Sequence, residues 1–132
     1  MAVYVKFQTA IEPMLEAMNS QTDSWVIKLA TVVSASLGTI TETANGNGYT
    51  TGGNAATVST ATQTSGTYKL VLNSPSVWTA TGAGFTFQYA VLTDSTTGTN
   101  VAYWDYGSSQ TVAAGETVTV TLDPTNGVFQ AS

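Results

Sequence analysis

Four aromatic residues have the types and spacing that could bind a sugar: Trp78, Tyr103, Trp104 and Tyr106. An aromatic ring offers an apolar face, and tyrosine and tryptophan add a polar group at one edge. Asp105 and Asn100 could accept hydrogen bonds from sugar hydroxyls. In the alternative interpretation, Tyr103 fills the core while Trp104 and Tyr106 line a sheet edge or a subunit contact. The sequence favours this alternative, because residues from one strand do not by themselves define a groove.

The carboxylates show no recognisable catalytic or metal-binding pattern. Asp105 with Glu116 or Asp123 could form the acid and base of a glycosidase, but no neighbouring residue marks either pair as perturbed. Asp94 and Asp123 fall in predicted turns, where aspartate usually binds its own backbone, and the alternating aspartates of a calcium loop are missing. The chain has no histidine, which is the commonest general base, and no cysteine, which would supply a thiol nucleophile. We therefore predict no catalytic residue, no metal, no cofactor and no enzymatic activity.

Residues 42–54, ETANGNGYTTGGN, form a long stretch rich in glycine and asparagine. Such a loop is uncommon unless it makes contacts or carries function. A phosphate-binding loop is excluded, because no Lys-Ser or Lys-Thr pair follows and the glycines do not open a helix. We expect this loop to bind a partner, and we expect deletion of residues 45–53 to abolish that binding while leaving the fold intact. The predicted partner-binding residues are Asn45, Asn47, Tyr49, Thr50, Thr51, Asn54, Trp78, Trp104 and Tyr106.

The low charge of the chain narrows its possible partners. Only 8% of the 132 residues are charged, and the net charge is −5. A nucleic-acid partner would require a basic surface, and the three positive residues are scattered. No apolar run approaches the roughly 20 residues of a membrane span, and MAVYVKFQTA lacks the features of a signal peptide. A surface of threonine and serine instead of charge suits a secreted protein or one held in a larger static assembly.

Most of the chain has the pattern of short strands. Residues 84–107 predict a central antiparallel hairpin, with Phe85, Phe87, Tyr89 and Val91 alternating with smaller residues before a polar turn at 94–100. Strands are predicted at residues 24–33, 55–62, 67–72, 77–79, 85–91, 101–106, 110–112 and 116–122, with a last strand from residue 128. Turns are expected between them, including one at 107–109.

The N-terminal residues have a different pattern. Apolar residues from Phe7 to Met18 recur at helical spacing, and Pro13 fits the first position of a helix that runs to about Asn19. The prediction is a single domain over residues 1–132, in which residues 1–20 form an N-terminal arm or helix. About eight closely spaced strands behind one amphipathic helix favour an all-β, antiparallel β-sandwich or jelly roll.

The order of motifs resembles the head decoration, or cement, proteins of tailed phages. The resemblance extends over nearly the whole chain and includes TDSWVIKL at 22–29, GYTTGG at 48–53, VWTA at 77–80, YAVL at 89–92, VAYWDYG at 101–107, ETVTV at 116–120 and NGVF at 126–129. The GYTTGG element is the most specific of these. The charge is lower than that family's proteins typically carry, which leaves open a tail-tip or fibre-base position.

The resemblance implies a structural role in a virion. The expected protein is a β-sandwich made in the host cytoplasm that attaches to the outer surface of the capsid, often as a homotrimer, and bridges major capsid subunits. It would bind neither nucleic acid nor membrane. The alternative from a different class is a carbohydrate- or receptor-binding module at a tail tip or fibre base, resting on Trp78, Trp104 and the tyrosines.

Overall fold

The computed structural model describes residues 2–10 and 20–131, and nearly all of its regular structure is β. Its strands are β1 (Val3–Lys6), β2 (Trp25–Ser34), β3 (Thr39–Glu42), β4 (Asn54–Ala55), β5 (Val58–Thr64), β6 (Thr67–Leu72), β7 (Trp78–Thr79), β8 (Phe85–Asp94), β9 (Thr99–Val112), β10 (Thr117–Val118) and β11 (Phe129–Ala131). A 3-10 helix at Gln8–Ala10 is the one helical element in this part of the chain. No helix among the described residues is long and apolar enough to cross a membrane.

The strands form antiparallel sheets that pack in a sandwich-like arrangement. The large sheet has the order β1-β9-β8-β2-β3, and β4 also pairs with β2. A three-stranded sheet, β11-β6-β5, and the short pair β10-β7 complete the described strands. Side chains from all of these sheets, such as Ile27, Leu70 and Val118, belong to one buried cluster. The all-β, antiparallel prediction is therefore confirmed, whereas most of the predicted N-terminal helix lies outside the described residues.

The predicted central hairpin is confirmed and is longer than expected. Strands β8 and β9 pair with Leu92 opposite Ala102, and Leu92 is in turn opposite Ile27 of β2. Directly paired residues point to the same face of a sheet, so these three buried side chains form a row toward the second layer. The turn is held by Asp94, whose Oδ1 accepts hydrogen bonds from the backbone N–H groups of Thr96 and Thr97.

The turn predicted at residues 107–109 is wrong, because β9 continues through it as a bulge. Phe87 pairs with Gln110 and Tyr89 pairs with Asp105. Four residues of β9, 106–109, therefore lie opposite a single residue of β8, Gln88. Gly107 adopts a φ of +86° and donates a hydrogen bond from its N–H to Asp105 Oδ1 at 2.7 Å. A glycine and a local carboxylate are also typical of a turn, and a bulge uses the same chemistry to bend a strand.

Residues 116–122 alternate as predicted, but only Thr117 and Val118 form a ladder, with β7. The buried positions are nevertheless the predicted ones, Val118, Val120 and Leu122. The sequence pattern missed β3 and β4, and it placed β5 at 55–62 instead of Val58–Thr64. Strands of two to four residues contain too few alternations to stand out from a loop.

Candidate functional site

The loop at residues 42–54 is built around the buried side chain of Tyr49. Its hydroxyl donates a hydrogen bond to Glu42 Oε1 at 2.5 Å and accepts one from the Leu29 N–H at 3.1 Å. Glu42 Oε1 also accepts a hydrogen bond from the Gly52 N–H at 2.6 Å. Burial, followed by the hydrogen bond to Glu42, raises the pKa of Tyr49. The loop is therefore attached to the interior strand β2 by a hydrogen-bonded core residue.

Two glycines allow the loop to lie directly on the backbone of other strands. A Cβ built on Gly53 would lie 2.0 Å from the Ile27 carbonyl oxygen, and one on Gly48 would lie 2.1 Å from the Thr79 carbonyl oxygen. Thr51 donates its N–H to Asn45 Oδ1 at 3.0 Å, within the loop itself. The GYTTGG sequence thus holds one loop conformation by close backbone contacts.

The loop exposes some of the predicted partner-binding residues and buries others. Asn45, Asn47, Thr50 and Thr51 are exposed. Asn54 is half-buried, and its side-chain amide donates a hydrogen bond to the Ser76 carbonyl at 2.8 Å. Tyr49 is only 1% exposed. Its assignment to a contact surface is therefore corrected. A deletion of residues 45–53 would also remove this core side chain.

The predicted aromatic platform is divided between different parts of the molecule. Trp78 is buried, and its indole N–H has no acceptor among the described residues. Tyr103 and Trp104 are neighbours in β9 and point to opposite faces of the large sheet. The Tyr103 ring packs edge-on against Phe7 and Tyr89. The assignment of Trp78 to a binding surface is thus corrected, because Trp78 is a core residue. Tyr103 is half-buried and packs against the core. Trp104 and Tyr106 remain half-buried.

Trp104 and Tyr106 line a groove of about 730 Å³ between the β1–β9 edge of the large sheet and residues 120–130. We call this the aromatic groove; its lining includes Tyr4, Lys6, Trp104, Tyr106, Asn126 and Phe129. The groove depends on the pairing of β1 with β9, which places Tyr4 directly opposite Trp104. Two of its aromatic residues, Trp104 and Tyr106, are among the predicted partner-binding residues. Tyr4 is not, because β1 falls in a segment predicted to be an arm or helix.

One wall of the aromatic groove is a well-ordered turn at residues 123–127. Asp123 Oδ1 accepts hydrogen bonds from the N–H groups of Thr125 and Asn126, and Oδ2 accepts one from the Asn126 side-chain amide. These bonds, chiefly the one from the Asn126 backbone, lower the pKa of Asp123. Gln130 donates its side-chain amide to the Asn126 carbonyl at 2.9 Å. The predicted role of Asp123 in a turn is therefore confirmed.

A buried carboxyl group, that of Asp94, lies at the turn of the hairpin and has Asp23 as a neighbour. Asp94 is fully buried, and its Oδ2 receives no hydrogen bond from an N–H or hydroxyl among the described residues. Burial first, and then the neighbouring Asp23 carboxyl, raises the pKa of Asp94. The sequence predicts Asp94 only as a turn residue, since Asp23 is distant in the chain.

We expect Asp94→Asn to change how stability depends on pH. An unfolded aspartate ionises near pH 3.9, whereas the pKa of Asp94 is raised in the folded chain. Its contribution to stability is thus complete below about pH 4 and is lost as the pH rises through the raised pKa. The asparagine variant cannot ionise and keeps an acceptor for Thr96 and Thr97.

The test compares urea unfolding of the two proteins from pH 3 to pH 8. The stability of the variant relative to the native chain should rise with pH over this window. A constant difference would show that Asp94 does not titrate as a buried acid.

No group of three or more His, Cys, Asp or Glu side chains suited to a metal ion is found among residues 2–10 and 20–131. The chain matches no protein-family model, and comparisons with curated proteins and with solved structures find no similar protein.

Proposed function

We propose that the protein is a non-enzymatic structural component of a tailed-phage virion that binds the outside of the capsid and bridges major capsid subunits. The proposal rests on the order of motifs in the sequence and, above all, on the rigid loop at 42–54. Four neighbouring polar side chains on this loop, Asn45, Asn47, Thr50 and Thr51, are exposed. The GYTTGG element that carries most of the resemblance is the same element that fixes the loop.

A fixed loop suits a protein that must bind a static surface. Ordering a flexible loop upon binding costs roughly 0.5–1.5 kcal/mol for each immobilised side chain. Here the bonds from Glu42 to Tyr49 and Gly52 order the backbone in the free protein. Many copies on one shell then multiply a modest affinity per copy.

The edge strands of the two larger sheets also indicate that neighbouring molecules cover them in an assembly. Strand β5 lies at the edge of the three-stranded sheet and, over seven residues, contains neither a charge nor a proline. Charges and prolines are the usual protection against edge-to-edge association. On the large sheet, edge strand β1 exposes 62% of Val3. We therefore include association into a homotrimer in the proposal, with β1 or β5 as its contact. The net charge of −5 is unfavourable for binding nucleic acid.

We expect Thr50→Arg to weaken binding to shells of the cognate major capsid protein at least about tenfold, because a bulky charge in a fitted interface costs more than 1.4 kcal/mol. Thr50 is exposed, so the fold should be unaffected. Thr119→Arg is the matched control, since Thr119 is equally exposed but lies outside the loop. Binding is measured by co-sedimentation with the shells.

Light scattering on the same samples checks assembly. Native protein and both variants should share one mass, near three times 13.7 kDa for a trimer. Shell binding that is equal for all three proteins would assign the contact to another surface. A native protein that never sediments with shells would contradict the proposed function itself.

A further inference from the structure

We propose that the aromatic groove is a carbohydrate-binding site in which a sugar ring stacks on Trp104. This site is separate from the loop at 42–54 and goes beyond the proposed capsid contact. Its volume of about 730 Å³ falls within the range of roughly 300–1,000 Å³ that is usual for small-ligand sites. Trp104 and Tyr106 are only half-buried, so part of each ring faces the groove.

The rings of the groove are held in place by other aromatic side chains. Tyr4 packs edge-on against Trp104 with ring centroids 5.5 Å apart, and Tyr106 packs edge-on against Phe87 at 5.2 Å. The Tyr4 hydroxyl donates to the Val128 carbonyl at 3.1 Å, which connects the two walls. A ring with a fixed orientation presents its negative face to the weakly positive C–H groups of a sugar. It also loses little entropy upon binding.

Polar groups on the groove wall are oriented to bind hydroxyl groups. The side-chain amides of Asn126 and Gln130 each donate one hydrogen bond within the wall, to Asp123 and to the Asn126 carbonyl. This fixes the amides while leaving their oxygens and a second N–H available. Both side chains are exposed. An apolar floor with a few oriented polar groups is the usual composition of a sugar-sized site.

The charges of the groove favour a neutral or singly acidic sugar. Lys6 lines the groove, is exposed and forms no ion pair among the described residues. Both oxygens of Asp123 already accept hydrogen bonds from its own turn. A polyanion is disfavoured because the groove offers it one positive side chain in a protein of net charge −5. A cation is disfavoured because Asp123, the carboxylate in the lining, is already hydrogen-bonded.

A strand of a second copy would not occupy the groove, because it would pair along the outer edge of β1, in the plane of the sheet.

The test is binding of the full chain to an array of defined neutral and acidic oligosaccharides, followed by calorimetry with the strongest binder. Trp104→Ala should weaken binding at least tenfold, and Trp104→Phe should retain part of it because a ring remains. Val77→Ala, which changes an exposed apolar residue outside the groove, should bind as the native chain does. If Trp104→Ala does not fold, Gln130→Ala on the exposed wall replaces it, with an expected loss of at least threefold.

Two results would overturn the carbohydrate site: no binder on the array, or binding unaffected by the Trp104 and Gln130 variants. Sedimentation with capsid shells, measured on the same variants, should be unchanged. Loss of shell binding in Trp104→Ala with no sugar bound would instead assign the groove to a protein contact. The failure of the sugar site and the failure of the capsid proposal therefore give different results.

Discussion

Gly53→Ala is expected to lower the free energy of unfolding by at least about 3 kcal/mol, among the largest effects of a single substitution in this chain. The added Cβ would lie 2.0 Å from the Ile27 carbonyl oxygen, well inside van der Waals contact. Neither backbone can shift without breaking sheet pairing, because Ile27 of the interior strand β2 pairs with Leu92 of β8 and with Asn54, the residue after the glycine. Relieving this clash would require the loop to separate from β2, and this movement would also displace Tyr49 from the core.

Gly98→Ala is the matched control for this experiment. Gly98 has a φ of +75°, close to the +72° of Gly53, but no atom lies within 4 Å of its hypothetical Cβ. This variant therefore measures only the cost of a left-handed conformation, about 1 kcal/mol. Denaturant unfolding of both variants gives the difference due to the clash. Equal losses would show that the loop does not press against β2 as described.

The sequence predicts those parts of the fold that depend on local patterns. Alternating residues in 116–122 predicted which side chains face the core, and Val118, Val120 and Leu122 are indeed buried. In 85–91 the alternation holds for Phe85 and Phe87 and then fails, because Tyr89 is half-buried and Ala90 is buried. The Asp94 turn was recognised because an aspartate binds the backbone two and three residues later. Such interactions join residues that are close in the chain, and so they leave a signature in the sequence.

The candidate sites depend on contacts between distant residues, and these have no comparable signature. Composition predicts a polar loop at 42–54. It does not predict that the Tyr49 hydroxyl accepts a hydrogen bond from the N–H of Leu29, 20 residues earlier in the chain. The aromatic groove needs β1 beside β9, a pairing of residues about 100 positions apart, such as Tyr4 with Trp104. Trp78 was assigned to a surface because tryptophan suits both a core and a binding site, and only the tertiary packing decides between them.

The corrected position of Tyr49 changes what the GYTTGG element contributes to the proposed function. Its tyrosine and its outer glycines serve the fold, through the bond to Glu42 and the close contacts of Gly48 and Gly53. Of the side chains in this element, those of Thr50 and Thr51 are exposed. We therefore expect partner specificity to lie in Thr50, Thr51 and the neighbouring asparagines.

Tyr49→Phe is expected to cost about 2–3 kcal/mol of stability, because it leaves the buried Leu29 N–H without an acceptor and removes a donor to the Glu42 carboxylate. The ring itself remains, so the loss measures the hydroxyl alone. Tyr106→Phe is the control: its hydroxyl makes no hydrogen bond among the described residues, and its removal should change stability by less than about 0.5 kcal/mol. In Tyr49→Phe, amide hydrogen exchange should also accelerate at Leu29 and Gly52, the two N–H groups that this network protects. If stability falls while exchange at both amides stays slow, the loop is held mainly by ring packing and glycine contacts, and the hydroxyl network has only a minor role in fixing it.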